Sequence, residues 1–296
     1  MTDEDFLALR HGVGAVELPR DFVALRGADA VGFLQGQLSQ DVAAMEVGAS
    51  AESLVLQPTG KVDAWVRVTR VGPDEVVLDV EGGWGEALIN RLNRFKLRVK
   101  ADLEPRAWRC VALRGPASHE VDLTDVTGRA VAADWPAWPG VDLLGADVVV
   151  PDGVRLCSFD AWEAVRIEAG VPRMGSELDE RTIPAEAGIV ERTVSFTKGC
   201  FTGQELVARI DSRGGNVPRR LRAVVVAAGE GPSPPVGCEV VVGPKVVGTL
   251  TSVAPSPGRG TVALAYVGRA VEPPAEVVLR WAGGERSARI EALPPA

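Results

Sequence analysis

Hydrophobic and polar positions follow two rhythms as far as about Pro218 and a single rhythm after it. Phe22–Arg26 is a short apolar run closed by Gly27, and Asp29 opens a stretch in which Phe33, Leu34 and Leu38 recur at helical spacing. That order predicts strand, turn and capped helix. Leu54-Val-Leu56 and the alternating Val62, Ala64, Val66 and Val68 predict two strands around the turn Gln57-Pro-Thr-Gly60. Val76–Val80 predicts a further strand and Trp84–Phe95 a further helix.

The opening then recurs. Val23-Ala-Leu-Arg-Gly27 is repeated letter for letter as Val111-Ala-Leu-Arg-Gly115, each time at the end of a strand and before an expected helix. A duplicated α/β unit explains the shared context better than chance does. Beyond Pro218 only short β runs remain: Leu221–Ala227, Cys238–Val242, Val246–Val253, Thr261–Val267, Glu276–Arg280 and Arg286–Leu293. Six strands at this spacing predict a small barrel or sandwich. The expected units are residues 1–104, 105–218 and 219–296.

A chain of 296 residues, 46% of them hydrophobic, has material for two or three buried cores. The net charge of −8 argues against broad attraction to nucleic acid or anionic lipid. The acidic start Met1-Thr-Asp-Glu-Asp-Phe6 has no apolar region of the secretory kind, and no apolar stretch reaches membrane-spanning length. A cytoplasmic protein with no membrane contact is expected. Phosphate-binding and dinucleotide glycine motifs are missing, so ATP, GTP and NAD chemistry is not indicated.

Cys110, Cys157, Cys200 and Cys238 lie far apart, and there are two histidines. Neither a disulfide framework nor a self-contained metal site is indicated, so any metal would need ligands from a partner. In Lys198-Gly-Cys-Phe-Thr-Gly-Gln-Glu205, Thr202 and Glu205 have capping-box spacing, which predicts a helix start at Thr202. Cys200 then lies just ahead of a helix N-terminus and two residues from Lys198, and both favour thiolate. Gly199 and Gly203 allow close backbone approach. A buried structural cysteine is an equal reading of these local features. Cys110, Cys157 and Cys238 read as structural.

In Asp160-Ala-Trp-Glu-Ala-Val-Arg-Ile-Glu-Ala-Gly170-Val-Pro172, Asp160 and Glu163 have capping-box spacing and Gly170 with Pro172 ends the helix. Glu168 falls in the last turn, where the helix dipole disfavours an anion. It is either a solvated surface group or an acceptor for paired N–H donors such as a pterin edge. Arg209, Arg213, Arg219, Arg220 and Arg222 form a dense basic set, suited to a folate carboxylate tail, a nucleic-acid backbone or a solvated rim.

Lys198–Glu205 resembles the K-G-C-[YF]-x-G-Q-E signature of the YgfZ family of folate-binding proteins. Four further stretches agree in order: Phe33-Leu-Gln-Gly-Gln-Leu-Ser-Gln-Asp-Val42, Gln57-Pro-Thr-Gly-Lys61, Arg166-Ile-Glu-Ala-Gly-Val-Pro172 and Ile183-Pro-Ala-Glu-Ala-Gly188. The resemblance extends from about residue 20 to 222. It implies an α+β, three-domain, aminomethyltransferase-like ring, with two related α/β subdomains, a C-terminal six-stranded β-barrel and tetrahydrofolate in the central hole. It implies a role in assembling or maintaining iron–sulfur enzymes, a tRNA-modifying one among them, with cluster-assembly proteins or client enzymes as partners and no direct nucleic-acid binding.

By the same resemblance Cys200 is the functional thiol and a candidate shared cluster ligand. Gly199, Phe201, Gly203, Gln204 and Glu205 are its motif, Glu168 is the pterin-binding glutamate, and Lys198 and Arg209 are cofactor-binding candidates. The chain departs from the aminomethyltransferases at their catalytic acidic pair, which falls on Ala64 and Trp65, with Asp63 one place early. In a strand, that offset turns a side chain to the opposite face. A folate-dependent aminomethyl- or methyltransferase is the alternative function.

Overall fold

The computed structural model describes residues 2–227 and 232–294. One antiparallel sheet has the order Ser50–Leu56, Val62–Arg70, Glu75–Glu81, Arg20–Arg26, Asp102–Arg106. The helices Ala30–Gln37 and Gly85–Asn93 cover one face, burying Leu34, Leu88 and Leu92 with Val23, Leu25, Val66 and Leu78. The other face carries Phe22, Ala24 and Val77, packed on Cys110, Val131 and Leu144 of the second sheet. Burial on both faces is why Phe22–Leu25 reads as a continuous apolar run rather than an alternation.

The second sheet has the order Arg155–Leu156, Gly14–Leu18, Arg109–Arg114, Gly140–Gly145, Arg129–Ala132. Its strand Gly14–Leu18 precedes the whole first sheet in sequence, yet it pairs with Arg109–Arg114 from Gly14–Arg114 to Leu18–Cys110. The division of the sheets therefore differs from a cut at residue 104. A strand's partner is chosen by long-range pairing, which local pattern does not encode.

The repeated pentapeptide marks the same turn twice. Gly27 and Gly115 have φ of 136° and 121°. A Cβ there would lie 2.3 Å from the Lys100 carbonyl oxygen or 2.4 Å from that of Gly12, so only glycine fits. The helix expected after Gly115 does not form; a single 3₁₀ turn, Ser118–Glu120, replaces it. Val121, Leu123 and Val126 instead pack irregularly beside Val111, Leu113 and Leu143.

The helix Phe159–Glu168 packs between the second sheet and the barrel, joining Trp162 and Val165 to Val16, Leu221, Leu264 and Tyr266. Its cap is Ser158, whose hydroxyl accepts from Ala161 N, and not the Asp160 expected from spacing. The barrel closes in the order Arg219–Val226, Gly260–Gly268, Lys245–Ser256, Glu239–Val242, Ala275–Trp281, Gly284–Glu291, with the last strand returning to the first. All six expected runs are strands of it. The architecture is thus α+β, with two sheet-based units and a closed six-stranded barrel. Among the described residues no helix is long and apolar enough to cross a membrane.

Candidate functional site

A cavity lies where both sheets meet the helix Phe159–Glu168 and the segment after it. Three of the seven tryptophans, Trp65, Trp135 and Trp162, line it. Trp135 meets Trp162 edge to face at 5.5 Å, and Trp162 stacks on Phe159 at 5.1 Å. Such a wall offers π-faces to a flat ring.

One side of the cavity is a chain of buried ions that ties the sheets together. Arg20 and Arg67 both donate to Asp79, while Arg67 and Arg114 both donate to Asp142, at 2.6 and 2.7 Å. Burial alone would push the Asp142 carboxyl up, but Arg114 and Arg67 override it and hold the group well below the usual carboxylate range. Three arginines on two aspartates leave this wall with an excess positive charge.

Elsewhere in the lining Arg166 is fully buried and donates to Glu163, Glu177, Ser252 and the Val171 carbonyl. Arg173 joins Glu81 and Glu163. These guanidiniums are occupied within the fold.

Three enclosed polar atoms among the lining residues have no hydrogen-bond partner: Glu52 Oε2, Trp162 Nε1 and Arg114 Nε. The other oxygen of Glu52 accepts from Arg192 at 2.8 Å. Burial raises the Glu52 carboxyl, opposed by Arg192.

The motif loop lies elsewhere. Cys200 is exposed, whereas Cys110, Cys157 and Cys238 are buried, and burial raises all three buried thiols. Lys198 Nζ donates to the carbonyls of Gln35, Leu38 and Gln40 at 2.7, 2.7 and 2.8 Å, so its three donors are spent on the chain. Burial lowers its pKa to about 8, which still leaves an ammonium at neutral pH. In this structure Lys198 is therefore a clamp for the loop.

Thr202 N donates to the Gly36 carbonyl, and Gln204 Oε1 accepts from Phe201 N. The helix is Gln204–Asp211 and its cap is Gly203, in place of the Thr202 start expected from spacing. Gly203 has φ of 83°, and a Cβ there would lie 2.5 Å from the Gln57 carbonyl oxygen, which excludes a capping side chain. A Cβ on Gly199 would meet nothing. Phe201 is half-buried against the cluster of Leu54, Leu56 and Val207. Glu205 is exposed and pairs at 3.8 Å with Arg209, itself about half exposed; neither lines the cavity.

Val62 N donates to the Thr182 carbonyl and Gln57 Nε2 to that of Glu180. The stretches beginning at Phe33, Gln57 and Lys198 contact one another, and Ala187 of the Ile183 stretch packs with Leu56 and Val62. The fifth, Arg166–Pro172, lines the cavity instead.

Glu168 is not part of that lining. Trp162 and Arg166 are four residues apart and share the cavity face of their helix, whereas Glu168 is 200° from Arg166, on the basis of about 100° per residue. Its buried carboxylate accepts from Ser256 of the barrel and pairs with Arg10. In this structure the group expected to meet a pterin is held by Ser256 and Arg10.

Asp63 is not on the opposite face of an uninterrupted strand either. The ladder pairs Val55 with Ala64 and Leu56 with Val62, leaving Asp63 in a bulge. It accepts from Arg91 Nε at 2.6 Å. Sequence reasoning missed Glu52, Arg67, Asp79, Arg114 and Asp142. A signal was present: Arg67, Asp79 and Asp142 each interrupt an apolar strand.

No protein-family profile matches the chain. An uncharacterized protein of Haemophilus influenzae is 28% identical over 200 residues, covering 66% of this chain and 67% of its own. The crystal structure of glycine cleavage system aminomethyltransferase T from Bartonella henselae superposes with a TM-score of 0.81 at 19% identity, covering 98% of this chain and 88% of that one, so the fold is shared. An aminomethyltransferase of Rubrobacter xylanophilus is 30% identical over 291 residues, covering 87% of this chain and 76% of its own. At that identity and coverage, the chain belongs to the aminomethyltransferase family.

Proposed function

We propose that this family member is a tetrahydrofolate-binding protein of the YgfZ type, and that it supports assembly or repair of iron–sulfur enzymes with Cys200 as its working thiol. The observation that carries the reading is a separation: a tryptophan-lined cavity in one place and an exposed cysteine on a backbone-clamped loop in another. The cavity residues fit a folate. Trp65, Trp135 and Trp162 would hold a flat ring, and the unpartnered donors and acceptor in the lining would be satisfied by its polar edge. When bound, tetrahydrofolate supplies a carrier for one-carbon units.

The clamped loop offers Cys200 to a second macromolecule, because Lys198, Thr202 and Gly203 fix the backbone on both sides of it while the thiol stays in solvent. Among the described residues no three metal-ligating side chains are grouped, so a cluster held by Cys200 would draw its other ligands from the partner. The alternative, a one-carbon transferase, is favoured by the family. With Asp63 as its acid it lacks support, because Asp63 is held in its bulge by Arg91 outside the lining.

Two measurements test the proposal together: calorimetric titration with tetrahydrofolate, and rescue of a client iron–sulfur enzyme in cells lacking the protein. Cys200→Ala is expected to bind folate as the wild type does and to fail in rescue. Full rescue by a folded Cys200→Ala protein removes the thiol role. Turnover of an aminomethyl donor that is lost in Asp63→Asn favours the transferase.

A further inference from the structure

Three acids line the cavity: Glu52, Glu81 and Asp142. Asp142 has both oxygens taken by Arg67 and Arg114. Glu81 Oε1 is held twice by Arg173, and its Oε2 lies 3.9 Å from Arg20. Glu52 alone has an enclosed oxygen with no partner. On the donor side the indole N–H of Trp162 is enclosed without an acceptor. Leaving a buried polar group unmade costs about 1–3 kcal/mol, more for a charged one. One cavity therefore holds one unpaired acceptor and one unpaired aromatic donor, of opposite hydrogen-bonding sense.

We propose that Glu52 and Trp162 read the polar edge of the bound heterocycle: Glu52 Oε2 accepts a ring or exocyclic N–H, and Trp162 Nε1 donates to a ring carbonyl. Arg192 donates to the first oxygen of Glu52 and favours the ionised carboxylate, in which the second oxygen is an acceptor. The cavity then selects a lactam, in which an N–H stands beside a C=O, and disfavours an analogue whose carbonyl is replaced by an amino group. There a donor would face the indole donor, leaving both unpaired. This assignment rests on the reading of the cavity as a folate site, and it gives the recognition role to Glu52 where sequence resemblance gave it to Glu168.

The test is calorimetric titration of the full chain with tetrahydrofolate, with the free pterin, and with the 4-amino-4-deoxy analogue of the folate. It is run on the wild type, Glu52→Gln, Trp162→Phe and Glu168→Gln, each checked by its melting curve. Glu52→Gln is expected to weaken the lactam ligands at least about 10-fold, since Arg192 will hold the carboxamide oxygen and leave its NH₂ facing the ligand. The wild type is expected to prefer the lactam over the amino analogue, and Trp162→Phe to reduce that preference. This comparison on the wild type does not depend on any variant folding.

Tetrahydrofolate binding that is unchanged in Glu52→Gln, or lost in Glu168→Gln alone, overturns the assignment and leaves the folate reading intact. Pterin binding that depends on Glu52, without binding of tetrahydrofolate, sustains the assignment and removes the folate reading. Equal affinity of the wild type for lactam and amino forms overturns the role of Trp162, and no binding of any ligand overturns both readings.

Discussion

The cavity and the motif loop are built on opposite plans. The cavity draws its walls from strands and a helix far apart in sequence, such as Glu52, Arg67, Arg114, Asp142 and Trp162, and its polar groups hold one another. The loop is one contiguous octapeptide fixed through the backbone: Lys198 and Thr202 bond carbonyls of the segment Gln35–Gln40, and Gly203 fits against Gln57. One site depends on which side chains are present, the other on where the main chain runs. A loop of the second kind leaves a motif in the sequence, because residues such as Lys198, Thr202 and Gly203 each meet a local backbone requirement. A cavity of the first kind leaves only scattered charges.

Substitutions should separate the two sites. The largest effect is expected for Asp142→Ala, which strands Arg67 and Arg114 in the interior at a cost of about 3–5 kcal/mol. Chemical denaturation reads that loss, and ligand binding should fall with it. A wild-type midpoint would mean that the sheets do not depend on this ion chain. Lys198→Met comes next. Losing three hydrogen bonds from a charged donor should cost about 2–4 kcal/mol and speed amide exchange around Gln35–Gln40, while tetrahydrofolate affinity in the folded protein stays unchanged. Coupled loss of affinity would join the two sites that the structure keeps apart.

Thiol chemistry gives a qualitative contrast. Native protein treated with iodoacetamide should be alkylated at Cys200, with Cys110, Cys157 and Cys238 reacting only after unfolding. Peptide mass analysis decides it, and early labelling of a buried cysteine would show that a core opens.

The smallest effect concerns Asp5, which accepts from Arg155 and from the backbone N–H of Ser158, the cap of the helix bearing Trp162. Burial pushes this carboxyl up, but Arg155 and Ser158 outweigh it and bring its pKa from 3.8 to about 2. A lowered carboxyl stabilises the fold fully above its unfolded value, and this contribution is lost as pH falls through the folded one. Wild type and Asp5→Asn should therefore differ in melting temperature above about pH 4 and converge by about pH 2. A gap that widens on acidification would contradict the assignment.

Much of the architecture was legible from residue order. The six barrel runs and the strand–turn–helix opening follow from period-2 and helical patterns. The repeat ending in Gly27 and Gly115 marked two equivalent turns. Two capping boxes failed because spacing cannot show which residue is free to take the cap: Ser158 lies one step ahead of its helix, and Gly203 is held by the crowding at Gln57. The parity reading at Asp63 failed because a bulge resets the alternation of a strand.

The sequence by itself determined the α+β order, the terminal barrel and the motif that presents Cys200, since each rests on contacts between near neighbours or on a single residue's backbone needs. Only the tertiary structure decided that Glu168 pairs with Arg10 and Ser256, that Lys198 is spent on three carbonyls, and that Glu52 and Trp162 share a cavity with unmade hydrogen bonds. Hydrogen-bond partners across about 30 to 160 residues are set by how the sheets, helix and barrel pack, and a buried group's role is fixed by the partner it finds or lacks.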